Sequence, residues 1–152
     1  MCSSDLLHWV AALGFLLFGG ALLLLPETVG GPFLSKFGAD ADAVRGGLIT
    51  VLAIGIAAAL PVHVIFTRII AMIDTVRTGQ PFSAPNAERL RQVAWALLAL
   101  QVLDLAYGWI ATRLSAMTSE FMGWQFSVAG WLSVLLLFVL ARVFQQGAAM
   151  QD

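Results

Sequence analysis

A single carboxylate interrupts a long apolar run in the second half of the chain. Asp104 lies in the segment VAWALLALQVLDLAYGWIAT, and a charged side chain at the centre of a bilayer costs roughly 2.5–3.5 kcal/mol to insert. Gln101 precedes it by three residues, so both side chains share one face of a helix. Buried polar groups of this kind carry protons or polar ligands, or they join helices by hydrogen bonds. Asp104 is therefore the first candidate for a functional residue.

Two further residues are predicted to join Asp104 and Gln101. At about 1.5 Å per residue from the inner ends of their spans, Asp104 lies roughly 20 Å deep, Gln101 roughly 15 Å and His63 roughly 12 Å. Tyr107 follows Asp104 by three residues. We therefore expect one buried polar network of His63, Gln101, Asp104 and Tyr107. Two interpretations stay open, a functional site and a hydrogen-bonded clamp between helices.

The sequence contains none of the common patterns of enzyme chemistry. It lacks a nucleophile with its base, a phosphate-binding loop, paired catalytic carboxylates and an HExxH motif. It has no CxxC motif and no His/Cys cluster, and its one cysteine, Cys2, excludes a disulfide within the chain. We therefore predict a protein that is not an enzyme and uses neither a metal ion nor a cofactor.

The composition is that of a membrane protein. Hydrophobic residues make up 60% of the chain and charged residues 11%, with a mean hydropathy of +0.89, whereas soluble domains carry about 25% charged residues. The net charge of −1 provides no basic face for direct nucleic-acid binding. Residues 1–152 are expected to form one integral membrane domain. Residues 1–6 (MCSSDL) resemble a translated sequencing adapter, so we expect them to be an artefact.

Four apolar runs are long enough to cross a hydrocarbon core of about 30 Å as helices. The predicted fold is therefore all-α, a four-transmembrane-helix bundle. Residues 27–45 are predicted to form an outer loop, and residues 113–123 a short outer link between the aromatic-belt residues Trp109 and Trp124. The predicted spans cover residues 6–25, 48–70, 90–112 and 124–144.

A polar hairpin between the second and third spans determines the predicted orientation. The helix before it should continue to about Thr78 and end at Gly79, while Ser83 or Asn86 should cap the next helix. Clustered positive charge beside membrane spans marks the cytoplasmic side. We therefore expect a cytoplasmic hairpin, with both termini also cytoplasmic. Four of the eight Lys and Arg residues lie in or beside this connection, namely Arg68, Arg77, Arg89 and Arg91.

The hairpin and the end of the chain carry a recurring set of motifs. The segments VRTGQPFSAPNAERLRQVAW and LLLFVLARVFQQGAAMQD contain a G-x-P-F turn, an N-x-x-x-L-R helix opening and a final F-x-x-G segment. In these features the chain resembles a bacterial family of small four-helix membrane proteins of unknown function. The resemblance implies a location in a bacterial inner membrane and a gene neighbour encoding a small helix-turn-helix regulator. The matching residues are Gly79, Pro81, Phe82, Asn86, Leu90, Arg91, Phe144 and Gly147.

Two functions are consistent with these observations. The first is a non-enzymatic membrane partner or regulator of a cytoplasmic helix-turn-helix transcription factor. The second is a small transporter or sensor that uses the polar site around Asp104. Four spans are few for a monomeric carrier, so the second function predicts a homo-oligomer. The residues predicted to contact a cytoplasmic partner are Arg77, Gly79, Pro81, Phe82, Asn86, Leu90 and Arg91.

Overall fold

The structure, a computed structural model, is helical over most of the part of the chain that it describes. A short 3-10 segment, Ser35–Asp40, leads into α1 (Ala41–Arg77), which is followed by α2 (Ala84–Thr118) and α3 (Val128–Ala149). No strand occurs among the described residues, so the all-α prediction is confirmed. The described residues are 10, 13–14, 17, 19–21, 31, 35–77, 83–118 and 123–150.

Three of these helical segments are long and apolar enough to cross a membrane. They end at Arg77, Thr118 and Ala149 and contain the second, third and most of the fourth predicted spans. The described residues of the first predicted span, 10, 13–14, 17 and 19–21, are helical. The rest of that span and residues 1–6 lie outside the described residues. A multi-pass membrane protein is thus supported, and the count of four spans stays a prediction.

The segment before α1 is more ordered than the predicted outer loop. Residues 35–40 form the 3-10 segment, which is broken at Gly38 where φ is +52°, a value that glycine tolerates without a Cβ penalty. The helix then begins at Ala41 and carries Asp42 in its first turn, where a carboxylate favours the positive end of the helix dipole. The prediction of an irregular loop up to Arg45 was wrong for residues 35–45.

The last helix begins later and ends later than predicted. Residues 123–127 are not helical, and the Oγ of Ser127 accepts a hydrogen bond of 3.1 Å from the amide of Gly130. This serine therefore caps the helix, which starts at Val128 rather than at Trp124. The polar residues after Phe144 continue the helix to Ala149.

The ends of the helices at the hairpin agree in part with the prediction. α1 ends at Arg77, and Ser83 is the residue before α2, its carbonyl accepting from the amides of Asn86 and Ala87. Asn86 lies inside the first turn of α2 and is completely buried, so it is not the capping residue. The connection at residues 78–82, with the predicted cap Gly79, lies outside the described residues.

The chain divides into two compact units. The first contains residues 1–59 and 103–126, and the second contains residues 60–102 and 127–152. In the first unit, α1 approaches α2 at Gly47, whose missing side chain leaves room for the buried Leu114. In the second unit, Trp95 of α2 packs edge-to-face on Phe138 of α3 with 5.3 Å between ring centroids. Each unit contains one of the polar sites that follow.

Candidate functional site

A half-buried arginine joins α1 to α2 next to the hairpin. One guanidinium nitrogen of Arg89, Nη1, lies 3.0 Å from the carbonyl oxygen of Ala71, 2.6 Å from the Oγ1 of Thr75 and 2.9 Å from the Oδ1 of Asn86. Two of these acceptors belong to α1 and one to α2. Hydrogen bonds to a charged donor contribute roughly 1.5–3 kcal/mol each, about twice the neutral value. We call Ala71, Thr75, Asn86 and Arg89 the arginine clamp.

The sequence positions this clamp through the buried face of α2. Asn86, Leu90 and Val93 recur at helical spacing and are buried, and Arg89 lies beside them. Asn86 is the buried polar residue among the described side chains, and a polar group without water requires partners of this kind. Leu90, which the sequence predicted as a partner-binding residue, is 6% exposed and belongs to this packed face. Asn86 and Leu90 therefore stabilise the hairpin as buried residues.

An exposed ion pair lies on the other side of the same turn of α2. The two guanidinium nitrogens Nε and Nη2 of Arg91 donate to the two carboxylate oxygens of Glu88 at 2.8 and 2.9 Å. Both side chains are about half exposed. Glu88 and Arg91 are three residues apart, a spacing at which opposite charges meet on a helix. Asp74 and Arg77 have the same spacing, but among the described residues no ion pair joins them.

An apolar groove of about 520 Å³ lies within the second unit. Arg77, the last residue of α1 and exposed, is the charged residue of its lining. Side chains from α1 on this surface are exposed, with Ile73 53% and Val76 54% accessible. The groove is therefore an apolar surface with one cation. Its lining includes Ile65, Ile69, Met72, Val76, Leu90 and Val93.

The carboxylate of Asp104 has a different type of partner in the first unit. The indole Nε1 of Trp124 donates to the Oδ2 of Asp104 over 3.3 Å, and Asp104 is half-buried. Trp124 packs against α2 at Gly108, where a Cβ would overlap the indole ring. Trp124 is therefore a partner of Asp104 and not simply the belt residue that the sequence predicted. Trp109, the other predicted belt residue, is 61% exposed and has the Arg113 guanidinium 4.4 Å from its ring centroid.

The other predicted members of the polar network are His63 on α1 and Gln101 and Tyr107 on α2. Gln101 is half-buried against Gly130 of α3, and its Nε2 has no hydrogen-bond partner among the described residues. Tyr107 is half-buried on α2. His63 is exposed on α1, so its predicted burial is wrong, and its carbonyl accepts from the Oγ1 of Thr67. The joint network of these residues with Asp104 stays a prediction.

Three residues predicted at the hairpin, Gly79, Pro81 and Phe82, lie outside the described residues. Of the remaining four, Arg77 and Arg91 are exposed, while Asn86 and Leu90 are buried. The two exposed arginines are thus available for contacts with other molecules.

Sequence reasoning missed the roles of Arg89 and Trp124. Arg89 was counted only among the positive charges of the hairpin, although its position three residues after Asn86 places both on one helix face. Trp124 was assigned to the membrane interface, although an indole N–H that is buried requires an acceptor. A search for acceptors of the Trp124 indole would have led to Asp104, the carboxylate of the predicted third span.

The described residues contain no group of three or more His, Cys, Asp or Glu side chains that could hold a metal ion. The sites are instead two sets of hydrogen bonds, one around a cation and one on a carboxylate. With three helices able to cross a membrane, they define a small all-helical protein of the multi-pass membrane class.

The chain belongs to the family described as "Protein of unknown function (DUF2975)", whose model matches residues 7–152. The resemblance to a family of unknown function is thereby confirmed, while the neighbouring helix-turn-helix regulator stays a prediction. No curated protein and no solved structure is significantly similar to the chain.

Proposed function

We propose that the protein is a non-enzymatic, multi-pass protein of the bacterial inner membrane that binds a cytoplasmic helix-turn-helix regulator at its α1–α2 hairpin. The arginine clamp is the observation that carries this proposal. It joins the end of α1 to the start of α2 by two hydrogen bonds from Arg89, to Thr75 at 2.6 Å and to Ala71 at 3.0 Å, so the hairpin is a preorganised surface. A preorganised surface binds a partner with less loss of conformational entropy.

The lengths of the helices support a hairpin that extends beyond the bilayer. α1 has 37 residues and α2 has 35, which correspond to about 55 Å and about 52 Å at 1.5 Å per residue. The hydrocarbon core is about 30 Å thick, so a little over 20 Å of each helix lies outside it, divided between the two sides of the bilayer, with about 10 Å on the side of the hairpin. In the proposed orientation, the end fixed by the arginine clamp extends into the cytoplasm.

The apolar groove beside Arg77 supports a particular kind of contact. The end of the groove formed by Met72, Ile73 and Val76 lies beyond the predicted second span, and such an apolar surface binds the apolar face of an amphipathic helix, with residues spaced at i, i+3, i+4 and i+7. Arg77, as the cation of the lining, complements an acidic residue on that helix. We therefore propose that the regulator presents an amphipathic helix with an acidic residue at one end.

A membrane copurification tests this function. The full-length protein is expressed with the helix-turn-helix regulator encoded beside its gene, and the regulator is quantified in the washed membrane fraction. We expect the wild-type protein to retain the regulator, and Arg77→Glu to reduce its recovery at least about fivefold because the charge complement is inverted. Phe82→Ala, in the predicted turn, should also reduce recovery.

The matched control is Arg142→Glu, which reverses the charge of another exposed arginine, on α3 and outside the groove. It should leave recovery unchanged. Equal losses with both variants would attribute binding to general surface charge, and no recovery with the wild-type protein would contradict the proposal.

A second candidate function, transport or sensing at Asp104, is supported by the type of partner that this carboxylate has. Trp124 is a neutral donor, and among the described residues no basic side chain pairs with Asp104. An intramembrane carboxylate without a cation is a candidate for proton or cation binding. Asp104→Asn should then abolish proton flux into proteoliposomes while the protein stays folded. Unchanged flux, or no flux with either protein, would leave Asp104 as a helix clamp.

A further inference from the structure

A second groove in the second unit combines apolar and cationic lining. It has a volume of about 470 Å³ and lies between α1 and α2. Leu60, Pro61 and Val64 line it from α1, and Trp95 and Ala96 from α2. Its polar lining consists of Arg68, Arg91 and Gln92. Apolar side chains and two guanidinium groups therefore share one groove, a combination that matches an amphiphilic anion.

The two arginines of this groove differ in their charge balance. Arg91 is neutralised by Glu88 through two hydrogen bonds of 2.8 and 2.9 Å. Arg68 is exposed, and no described residue forms a hydrogen bond or an ion pair with it. The groove therefore has a net charge of about +1, which complements a ligand with one negative charge.

Because of Gln92, a ligand of this groove should also carry a hydrogen-bond donor. Its Nε2 donates to the Oε1 of Glu88 over 3.1 Å, and because a carboxylate only accepts, this bond fixes which end of the amide faces Glu88. The other end, Oε1, is buried and accepts no hydrogen bond from a described residue. An unsatisfied buried acceptor costs roughly 1–3 kcal/mol, which a donor on the ligand would offset.

The groove lies at the depth where lipid headgroups occur. Arg68 is in the last turn of the predicted second span, and Arg91 is in the first turn of the predicted third span. Arg68 and Arg91 thus mark the boundary between hydrocarbon and headgroups, where Trp95 is also favoured. Leu60 and Pro61 lie about 10–12 Å further along α1, in the direction of the acyl chains. Basic pockets between transmembrane helices bind anionic lipid headgroups.

We propose that this groove is a binding site for an anionic glycerophospholipid with a hydroxyl-bearing headgroup. The phosphodiester binds Arg68, a headgroup hydroxyl donates to the Oε1 of Gln92, and an acyl chain packs along Leu60, Val64 and Trp95. The site requires insertion of the protein in a membrane, but it does not require a cytoplasmic partner.

The test compares two lipids that have the same charge. Phosphatidylglycerol carries two headgroup hydroxyls, whereas in phosphatidylmethanol a methyl group replaces the whole glycerol headgroup. The purified protein is titrated with each lipid in detergent, and bound lipid is counted by native mass spectrometry. We expect tighter binding of phosphatidylglycerol, and Arg68→Ala should weaken the binding of both lipids about tenfold through loss of a charged hydrogen bond. Gln92→Leu should remove the preference between the two lipids.

Arg142→Ala is the matched control, because it removes an exposed arginine that does not line the groove. Equal weakening by this variant would show general attraction to anionic lipid and overturn the proposal. Displacement of phosphatidylglycerol by soluble glycerophosphoglycerol at similar concentration would show that the acyl chains are not bound, which also contradicts it. Circular dichroism and gel filtration establish that each variant is folded before it is compared.

Discussion

The arginine clamp and the Asp104–Trp124 pair are both polar sites on α2, but their hydrogen bonding differs. In the clamp, Arg89 lies within 2.6–3.0 Å of three acceptors, one of them on the completely buried Asn86. Asp104 accepts from one neutral donor at 3.3 Å. A carboxylate has about four acceptor positions. The clamp is thus suited to fix two helices, whereas Asp104 keeps the capacity to accept another donor.

The largest decrease in stability is expected for Arg89→Leu. The substitution removes the donor to Ala71, Thr75 and Asn86 together, and leaves Asn86 buried without its guanidinium partner. We expect a loss of about 1.5–3 kcal/mol in the free energy of unfolding, the usual contribution of a hydrogen bond to a charged group. Thermal unfolding in detergent micelles, followed by circular dichroism, measures this loss.

Arg89→Lys is the control for charge, because lysine keeps the cation but lacks the planar fork of donors. It should be destabilised less than Arg89→Leu. Unchanged melting temperatures for both variants would show that the clamp does not hold the helices together.

The next largest decrease in stability is expected for Gly108→Ala, which affects the indole of Trp124. Gly108→Ala introduces a Cβ that would overlap this ring, so Trp124 must move away from α2. Overpacking of this kind costs about 1–3 kcal/mol. The melting temperature should fall in the same detergent assay. Gly46→Ala is the matched control, since nothing lies within 4 Å of the Cβ it adds on α1. Equal destabilisation by both alanines would exclude the close packing of Trp124.

A smaller effect is expected for Trp124→Phe, which keeps an aromatic ring but removes the donor to Asp104. A neutral hydrogen bond contributes about 0.5–1.5 kcal/mol. Asp104→Asn keeps an acceptor oxygen and should be less destabilising than Trp124→Phe. Urea titrations in mild detergent measure both variants. If Asp104→Asn were the more destabilised of the two, the charge of Asp104 would contribute more to stability than its hydrogen bond to Trp124.

The smallest effect is expected for Glu88→Gln at the exposed ion pair. Both members are about half exposed, and solvent-exposed pairs contribute little because water and salt screen them. We expect no measurable change in melting temperature at physiological salt, in contrast to Arg89→Leu one residue away. A clear decrease in melting temperature would show that the exposed ion pair, and not only the arginine clamp, stabilises the hairpin.

Much of the fold follows from the sequence because apolar runs of about 20 residues form helices in a bilayer. The end of α1 at Arg77 and the Glu88–Arg91 pair also follow from local rules of helix termination and i, i+3 spacing. The start of α3 was placed four residues early because the Trp124 segment is apolar, and apolarity does not distinguish a helix from an extended segment before Ser127.

The sites were less predictable because their partners are distant in sequence. Arg89 reaches acceptors 14 and 18 residues away, and Trp124 reaches Asp104 over 20 residues. Depth alone placed His63 beside Asp104, but depth does not give the direction of a side chain around the helix axis, and His63 is exposed. The sequence indicated Asn86 as a candidate cap of α2. In the structure Asn86 is instead buried and accepts a hydrogen bond from Arg89.

The central claim is that the hairpin fixed by the arginine clamp extends into the cytoplasm, and thiol accessibility tests it most directly. In a Cys2→Ser background, Ala84→Cys places a thiol at the exposed start of α2, and Met117→Cys places one at its other end. Intact cells and permeabilised cells are treated with a membrane-impermeant maleimide. We predict that the Ala84→Cys protein is labelled only after permeabilisation and the Met117→Cys protein in intact cells. The reverse pattern would place the hairpin outside the cell and contradict the account.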